Sequence, residues 1–424
     1  MEAKYYLCID LKSFFASVEC VERGLDSMTT DLVVADPARG GGAICLAVSP
    51  ALKEKGVRNR CRLYEVPKSI DFITALPRMR LYMEYSAHIY SIYLRYVSAE
   101  DIHVYSIDEC FLDITSYCRL YEKEPIEIAK MLIDAVYRET GICATAGIGT
   151  NLFLAKVALD ITAKHVPDHI GYLDEAEFKR TIWYHKPITD VWNVGRGIAK
   201  RLERFGIYDL WGVAHCDEER LYREFGVNAE LLIDHAHGVE PCTIADIHAY
   251  RSKSASISNG QILFEDYSFD DALLILREMV DMLVLELVER GLVTDSISLS
   301  VGYSKDREAS VGGTVRLSET TSSHKKIEQR FVEYFSQKVR RDLPIRRINV
   351  GLNHLQDESF ASYDLFTDLE AEKKEKDLQK TVIGIKKRFG KNAIIKGMSL
   401  EEKATARIRN RLIGGHNGGE DDQS

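Results

Sequence analysis

Three acidic side chains stand where the local pattern would gather them. Tyr5 to Ile9 is a short apolar and aromatic run that ends on Asp10, the signature of a buried strand delivering a carboxylate at its C-terminal end. Asp108 and Glu109 sit between two apolar-rich runs, His103 to Ile107 and Cys110 to Ile114, which reads as a hairpin with the acidic pair at its turn. On adjoining strands of one sheet these carboxylates would repel one another unless a cation or a raised pKa relieved them. Magnesium suits such a set, because it takes hard oxygen ligands and is usually held by one or two carboxylates plus substrate phosphates. Two such ions, about 3.5–4 Å apart, support in-line displacement at phosphorus by activating a hydroxyl and stabilising the leaving oxygen. Taken one at a time, each group also has a plainer reading, since aspartate is common in turns and at helix caps.

The elements needed to position these groups are legible around them. Ser13 to Arg23 carries Phe14, Val18 and Val21 at helical spacing, with Ser13 placed as an N-cap. Asp36 to Gly42 is a turn before a strand over Ala43 to Val48, and Ser49 to Val57 reads as a short basic helix. Ile126 to Thr140 is helical, and a strand over Ala144 to Gly149 runs into a helix over Leu152 to Ala163. Together these predict an α+β core with a mixed or antiparallel sheet. From Thr189 to Leu210 the pattern changes to short helices around the glycine turn Val194-Gly195-Arg196-Gly197-Ile198, with a helix over Ala199 to Phe205 stopped at Gly206. An extended run over Arg251 to Ile257 precedes a helix (Ser268 to Arg290), two strands (Ser296 to Tyr303 and Gly313 to Leu317), a helix (Ser323 to Arg340) and a strand (Arg346 to Leu352). That β-α-β-β-α-β order is ferredoxin-like and makes a further domain.

Length and charge bound the rest. At 424 residues the chain exceeds what one hydrophobic core supports, so about three or four domains are expected. No window approaches the ~18 uninterrupted apolar residues of a membrane span, and the start Met1-Glu2-Ala3-Lys4 lacks the form of a secretory signal, so a soluble, cytoplasmic chain without a membrane partner is expected. Nine cysteines with no close pair at zinc spacing read as reduced, mostly buried thiols. A net charge of −9 argues by itself against a nucleic-acid partner, yet Ala371 to Ile413 holds 13 Lys and Arg against 5 Asp and Glu. Taken alone, that basic stretch reads equally as a nucleic-acid contact or a solvated helical face.

Three strings then change the weighting: Cys8-Ile9-Asp10-Leu11-Lys12-Ser13-Phe14-Phe15-Ala16-Ser17-Val18-Glu19, Tyr105-Ser106-Ile107-Asp108-Glu109-Cys110-Phe111-Leu112-Asp113, and Gly147-Ile148-Gly149-Thr150-Asn151 to Lys156. In this order they closely resemble the Y-family, the UmuC/DinB-type translesion DNA polymerases, over about residues 4–355. The resemblance implies a right hand: a ferredoxin-like palm (1–25 and 75–166), small fingers (26–74), a helix-hairpin-helix thumb (167–242), an α/β little finger (245–355), and a clamp-binding linker with a basic tail (356–424). It implies low-fidelity primer extension on primer–template DNA with deoxynucleoside triphosphates and two magnesium ions per site. Asp10, Asp108 and Glu109 match its metal-binding carboxylates, the Leu11 carbonyl a further ligand, and Ser106 a serine beside the primer end. Phe15 matches the ring that leaves no room for a ribose 2′-hydroxyl, while its neighbour Phe14 is placed on the nucleotide side or simply in the core. Lys53 and Lys156 match cations that meet the triphosphate, although Pro50 and Lys53 depart from the tyrosine and arginine usual in DinB-type chains.

The same resemblance gives the Gly195/Gly197 turn a phosphate-gripping role, where the turn alone reads equally as a plain connection. It offers Arg251, Lys253 and Arg316 as DNA contacts, which as strand cations also read as solvated edge charges. Tyr363, Leu365 and Phe366 resemble a sliding-clamp peptide in which Ser362 replaces the leading glutamine. Lys387 to Ala393 looks more like the tails of the UmuC-like branch, with which a UmuD-like accessory subunit would belong. A nucleotidyl cyclase and a catalytically silent DNA-binding subunit are the rival readings: the first needs neither thumb nor little finger, and the second has no need of all three carboxylates.

Overall fold

The computed structural model describes residues 4–252, 255–304, 308–365 and 367–419, and its contacts divide the chain into two compact units that meet between Tyr250 and Arg251. The first unit opens with β1 (Tyr6–Leu11) and α1 (Phe14–Val21). β1 is buried along both faces, which is why its sequence reads as a continuous apolar run rather than an alternation. Ser13 precedes α1 in left-handed backbone (φ 49°) without a side-chain cap, so the expected N-cap role is absent. A small sheet follows, built from β2 (Leu32–Val34), β3 (Ala47–Val48) and, after α2 (Pro50–Glu54), β4 (Ile73–Ala75). The strand expected from Ala43 is therefore only its last two residues; Ala43 itself turns back to bond Gly40, and Ile44 bridges Arg62. Ser49 caps α2, accepting from the Leu52 amide.

The main sheet is completed by β5 (Ile102–Val104), β6 (Glu109–Asp113), β7 (Ala144–Gly149) and β8 (Ile170–Leu173), in the order β5-β6-β1-β7-β8. All neighbours are antiparallel except β7 and β8. One face packs on α1, α3 (Met79–Tyr93) and α5 (Pro125–Thr140), with α4 (Thr115–Leu120) between the last two in sequence. The other face, carrying Tyr6, Cys8 and Phe111, packs on α6 (Leu152–Val157). Gly147 and Gly149 let that helix lie directly on β7: a Cβ on either would come within 2.1 Å of the Ala155 backbone. The helix expected to run unbroken to Ala163 instead widens into a π turn over Ala158–Thr162, where it presses on Gly171 of β8.

Beyond α7 (Glu175–Thr181) come four short helices, α8 (Arg196–Glu203), α9 (Leu210–Ala214), α10 (Glu218–Phe225) and α11 (Asn228–His237), which share a hydrophobic cluster with Phe153, Leu154 and Val157 of α6. α8 begins three residues before the expected Ala199 and is stopped by Gly206 at φ +73°. α12 (Ile244–Ala249) then returns to pack on β5 and β6, and this first unit ends at Tyr250.

The second unit has the expected element order: β9 (Ile257–Tyr267), α13 (Phe269–Glu289), β10 (Leu292–Tyr303), β11 (Val311–Thr321), α14 (His324–Lys338) and β12 (Ile345–Asn353). The antiparallel order β11-β10-β12-β9 places β12 between β9 and β10, and β10 between β11 and β12, so each β-α-β unit is split by a strand of the other. Its first strand falls at 257–267, beyond the expected 251–257, because pairing with β12 overrides the weak strand tendency of Asn259, Gly260 and Asp266.

The basic tail belongs to this unit. α15 (Leu369–Phe389) packs on α13, and α16 (Ala406–Arg409) is held by the buried Glu278 carboxylate, which accepts from the Thr405 and Ala406 amides at 2.9 and 3.0 Å. Tail lysines are spent on acidic partners of the same unit: Lys387 on Glu289 (2.6 Å), Lys396 on Asp281 (2.7 Å) and Lys403 on Glu265 (2.5 Å). Glu278→Ala is expected to destabilise the second unit by about 2–3 kcal/mol, since it strands two buried amides. Chemical denaturation followed alongside proteolysis of the tail measures it; an unchanged midpoint would mean the tail docks without this clamp. Among the described residues no helix is long and apolar enough to cross a membrane.

Candidate active site

Strand register brings the acidic groups together. Asp10 pairs across from Glu109 on β6 and from Thr145 on β7, at the end of the central strand. Asp108 occupies the last turn position before β6, its carbonyl accepting from the Leu11 amide at 3.0 Å and its Oδ1 from the Ser106 hydroxyl at 2.6 Å. The amides of Tyr105 and Ser106 both donate to the Glu109 carbonyl, at 2.9 and 3.1 Å, closing the turn. Burial first, and then the charges of Asp108 and Glu109, push the Asp10 pKa up to about 7.

Glu109 has partners of its own. Its Oε1 accepts from the Cys8 thiol at 3.1 Å and from the Lys156 ammonium at 2.7 Å, and Lys156 also reaches Asp160 at 3.1 Å. Burial works against the Lys156 ammonium, but Cys8, Asp160 and Glu109 outweigh it and hold the pKa above its ordinary value. Lys156, the expected triphosphate contact, thus sits buried beside the acidic site between Glu109 and Asp160. Among the described residues no three His, Cys, Asp or Glu side chains are drawn together at metal-ligating geometry. The donor set nevertheless fits magnesium: hard carboxylate oxygens at one strand end, with a repulsion that a divalent cation would remove.

Two further cations face this site. Lys53 projects from α2, crowded enough by the protein that its pKa falls, with Asp10 pulling the other way. Lys164 was missed by the sequence reading; it is half exposed, pairs with Asp160 at 3.4 Å, and its charge acts on both Asp10 and Lys53. The spacing Lys156, Asp160, Lys164 is the signal that would have found it, because residues four apart share a helix face.

Phe14 is buried in the core, as its plainer reading held, while Phe15 is half-buried and lies flat on Tyr82 with centroids 4.5 Å apart and planes 17° apart. Tyr82 is itself fully buried, and its hydroxyl donates to Glu19 at 2.7 Å. Arg78 grips the same carboxylate with two bonds, at 2.9 and 2.8 Å, and Arg23 adds a third cationic contact. These contacts and the pair of arginines hold the Glu19 carboxyl below its ordinary range against the penalty of burial. Neither Glu19, Arg78 nor Tyr82 was singled out from sequence.

The remaining candidates lie elsewhere. Gly195 caps α8, and a Cβ on Gly195 or Gly197 would meet nothing within 4 Å, so the backbone there is open to approach. In the second unit Arg316 is exposed on β11, Arg251 is exposed at the unit's start, and Lys253 lies outside the described residues. Ser362 is pinned to β11 by reciprocal bonds with Thr320 at 2.9 and 2.8 Å. After it Tyr363 is 54% and Leu365 99% exposed, so neither packs back on the domain; Phe366 lies outside the described residues.

Residues 9–160 match the impB/mucB/samB family, and residues 254–365 match that family's C-terminal domain. The chain is 31% identical to the putative UV-damage repair protein UvrX of Bacillus subtilis (strain 168), covering 97% of each. It is 32% identical to DNA polymerase IV 2 of the same organism, over 98% of this chain and 99% of that one. Among solved structures, a Y-family DNA polymerase chimera of Dbh and Dpo4 superposes with a TM-score of 0.65 at 19% identity, covering 83% of this chain and 99% of the chimera.

Proposed function

The chain belongs to the impB/mucB/samB family, the Y-family of DNA polymerases, and from that premise we propose that it extends a primer on a DNA template and continues past damaged bases, with Asp10, Asp108 and Glu109 as its acidic centre. The observation that carries the reading is the cross-strand meeting of Asp10 and Glu109 beside Asp108, with the Asp10 pKa raised by burial and then by its acidic neighbours. Magnesium, when bound there, would neutralise charge on the triphosphate and make the primer 3′-hydroxyl a better nucleophile. Asp10, Asp108, Glu109 and the Leu11 carbonyl are the groups to hold it.

The chain's own side chains do the rest. Ser106, bonded to Asp108, stands where a primer end would lie. Lys53 and Lys164 offset charge on the triphosphate, and Lys156 keeps Glu109 oriented from below. Phe15, braced by Tyr82, excludes a ribose 2′-hydroxyl. The open backbone at Gly195 and Gly197 offers amides to a DNA phosphate without reading a base, and Arg316 with Arg251 serves the duplex from the second unit. With three tail lysines engaged by Glu289, Asp281 and Glu265 and with α16 held by Glu278, the basic tail braces that unit. Placement nearer the UmuC-like branch, and with it a UmuD-like subunit, rests only on the Lys387 to Ala393 string.

Primer extension on undamaged and abasic templates, with magnesium and all four deoxynucleotides, tests the whole reading; a folded protein that extends neither template would overturn it in favour of a silent DNA-binding subunit. Docking on a sliding clamp is supported by the exposure of Tyr363 and Leu365 on a segment anchored by Ser362. Leu365→Ala combined with Tyr363→Ala is expected to remove at least about tenfold of clamp-stimulated synthesis while leaving clamp-free synthesis intact. Equal stimulation of variant and wild type would place the clamp contact elsewhere.

A further inference from the structure

We infer that Tyr105 and Trp192 form a positioning pair that ties the catalytic turn to the helical segment of the first unit, an inference that rests on the polymerase reading above. The turn between β5 and β6 carries Ser106 and Asp108, and its internal restraints are short-range: the two amides on the Glu109 carbonyl and the hydroxyl of Ser106 on Asp108. Tyr105 carries the turn's restraint outward. Its ring stands edge-on to Phe111 (5.7 Å, 89°) and to Trp192 (6.0 Å, 77°), and its hydroxyl accepts from the indole N–H of Trp192 at 3.2 Å. The Lys156 ammonium lies 6.0 Å from the same ring, so Tyr105 also roofs the cation that holds Glu109.

Trp192 is fixed from its other side. It lies nearly parallel to His235 of α11 (6.1 Å, 18°), and His235 stacks on Phe153 at 4.0 Å while its Nε2 meets Glu240 at 2.9 Å. Three residues after Trp192, Gly195 caps α8 and opens the turn to which a phosphate is assigned. A row of rings thus runs from the helical segment to the turn that carries Asp108. Ring packing alone does not demand the Tyr105 hydroxyl, since phenylalanine there would fill the same space; the bond it accepts from the Trp192 indole is what fixes the turn's angle. Holding the duplex at α8 and aiming the primer end at Asp108 become one mechanical event.

Tyr105→Phe, Trp192→Phe and the double variant test this in the full chain. Each single change is expected to lower the maximal single-turnover extension rate about fivefold, the effect of one lost hydrogen bond, with the KM for deoxynucleotide and the Kd for primer–template both within about twofold of wild type. The double variant is expected to be no slower than Trp192→Phe alone, because that change already removes the bond that Tyr105→Phe removes. Amide exchange over residues 104–110 should quicken in Trp192→Phe. Rates within twofold of wild type, losses that multiply in the double variant, or unchanged exchange over the turn would each overturn the pairing. An inactive wild type would instead overturn the polymerase reading, and the exchange experiment would still decide whether Trp192 restrains the turn.

Discussion

Asp108→Ala is expected to lower primer extension by at least about 1,000-fold while leaving DNA binding and folding intact. The carboxylate sits at the last position of the turn, tied to Ser106 and adjacent to both Asp10 and Glu109, so its removal takes away a third of the charge available to a divalent cation. Neither remaining carboxylate can take its place, because Asp10 and Glu109 are fixed opposite each other by the register of β1 and β6. The stability of the variant separates chemistry from damage. Asp108 is one of the causes that raise the Asp10 pKa, so alanine relieves a repulsion in the metal-free protein, and its melting temperature should stay level or rise slightly. Extension by single-turnover kinetics, DNA affinity by anisotropy and a thermal melt together decide it. Wild-type rates in the variant would mean that the acidic cluster is not the catalytic centre, whatever the family resemblance.

What sequence made legible here, and what it did not, follows from where each interaction is decided. The strand carrying Asp10, the hairpin around Asp108 and the strand over Ala144–Gly149 are local patterns of apolar runs and breakers and are present, though β1 runs on to Leu11, β5 stops at Val104, and Glu109 opens β6 instead of sitting in the turn. The register that sets Asp10 opposite Glu109 does not follow from that pattern, because β1 is buried on both faces and its apolar run marks neither side as the core side. Nor does the destination of a long side chain. Lys156 could have faced solvent, substrate or protein from the same helix, and only the lie of α6 on Gly147 and Gly149 aims it at Glu109. The break of that helix into a π turn likewise depends on Gly171, from a strand later in the chain. Tail charges show the same limit: 13 Lys and Arg in a stretch suggest a polyanion until Glu289, Asp281 and Glu265 are seen to meet three of them.

Phe15→Ala is expected to reduce discrimination against ribonucleotides by about 100-fold or more, with deoxynucleotide use changed far less. A ring excludes a 2′-hydroxyl only if it cannot retreat, and here each layer behind it is fixed. Phe15 lies on Tyr82 at 4.5 Å; Tyr82 has no exposed surface to yield into, and its hydroxyl is held by Glu19. Glu19 in turn is buried and held by Arg78 and Arg23, so displacing the floor would mean breaking charge-assisted bonds as well as packing. An intruding oxygen therefore meets a wall as stiff as a protein interior, where overpacking costs about 1–3 kcal/mol before any hydrogen bond is lost. Alanine at 15 removes the wall and leaves the braces standing, so Tyr82→Phe becomes the informative companion: it keeps the ring beneath Phe15 but frees it from Glu19, and should cost an intermediate share of selectivity, about fivefold. Competitive incorporation of matched ribo- and deoxynucleoside triphosphates reads both. If Phe15→Ala leaves sugar selection unchanged, the gate lies on another side chain, and the Glu19 network is a structural feature of α1 and α3 rather than the backing of a selective surface.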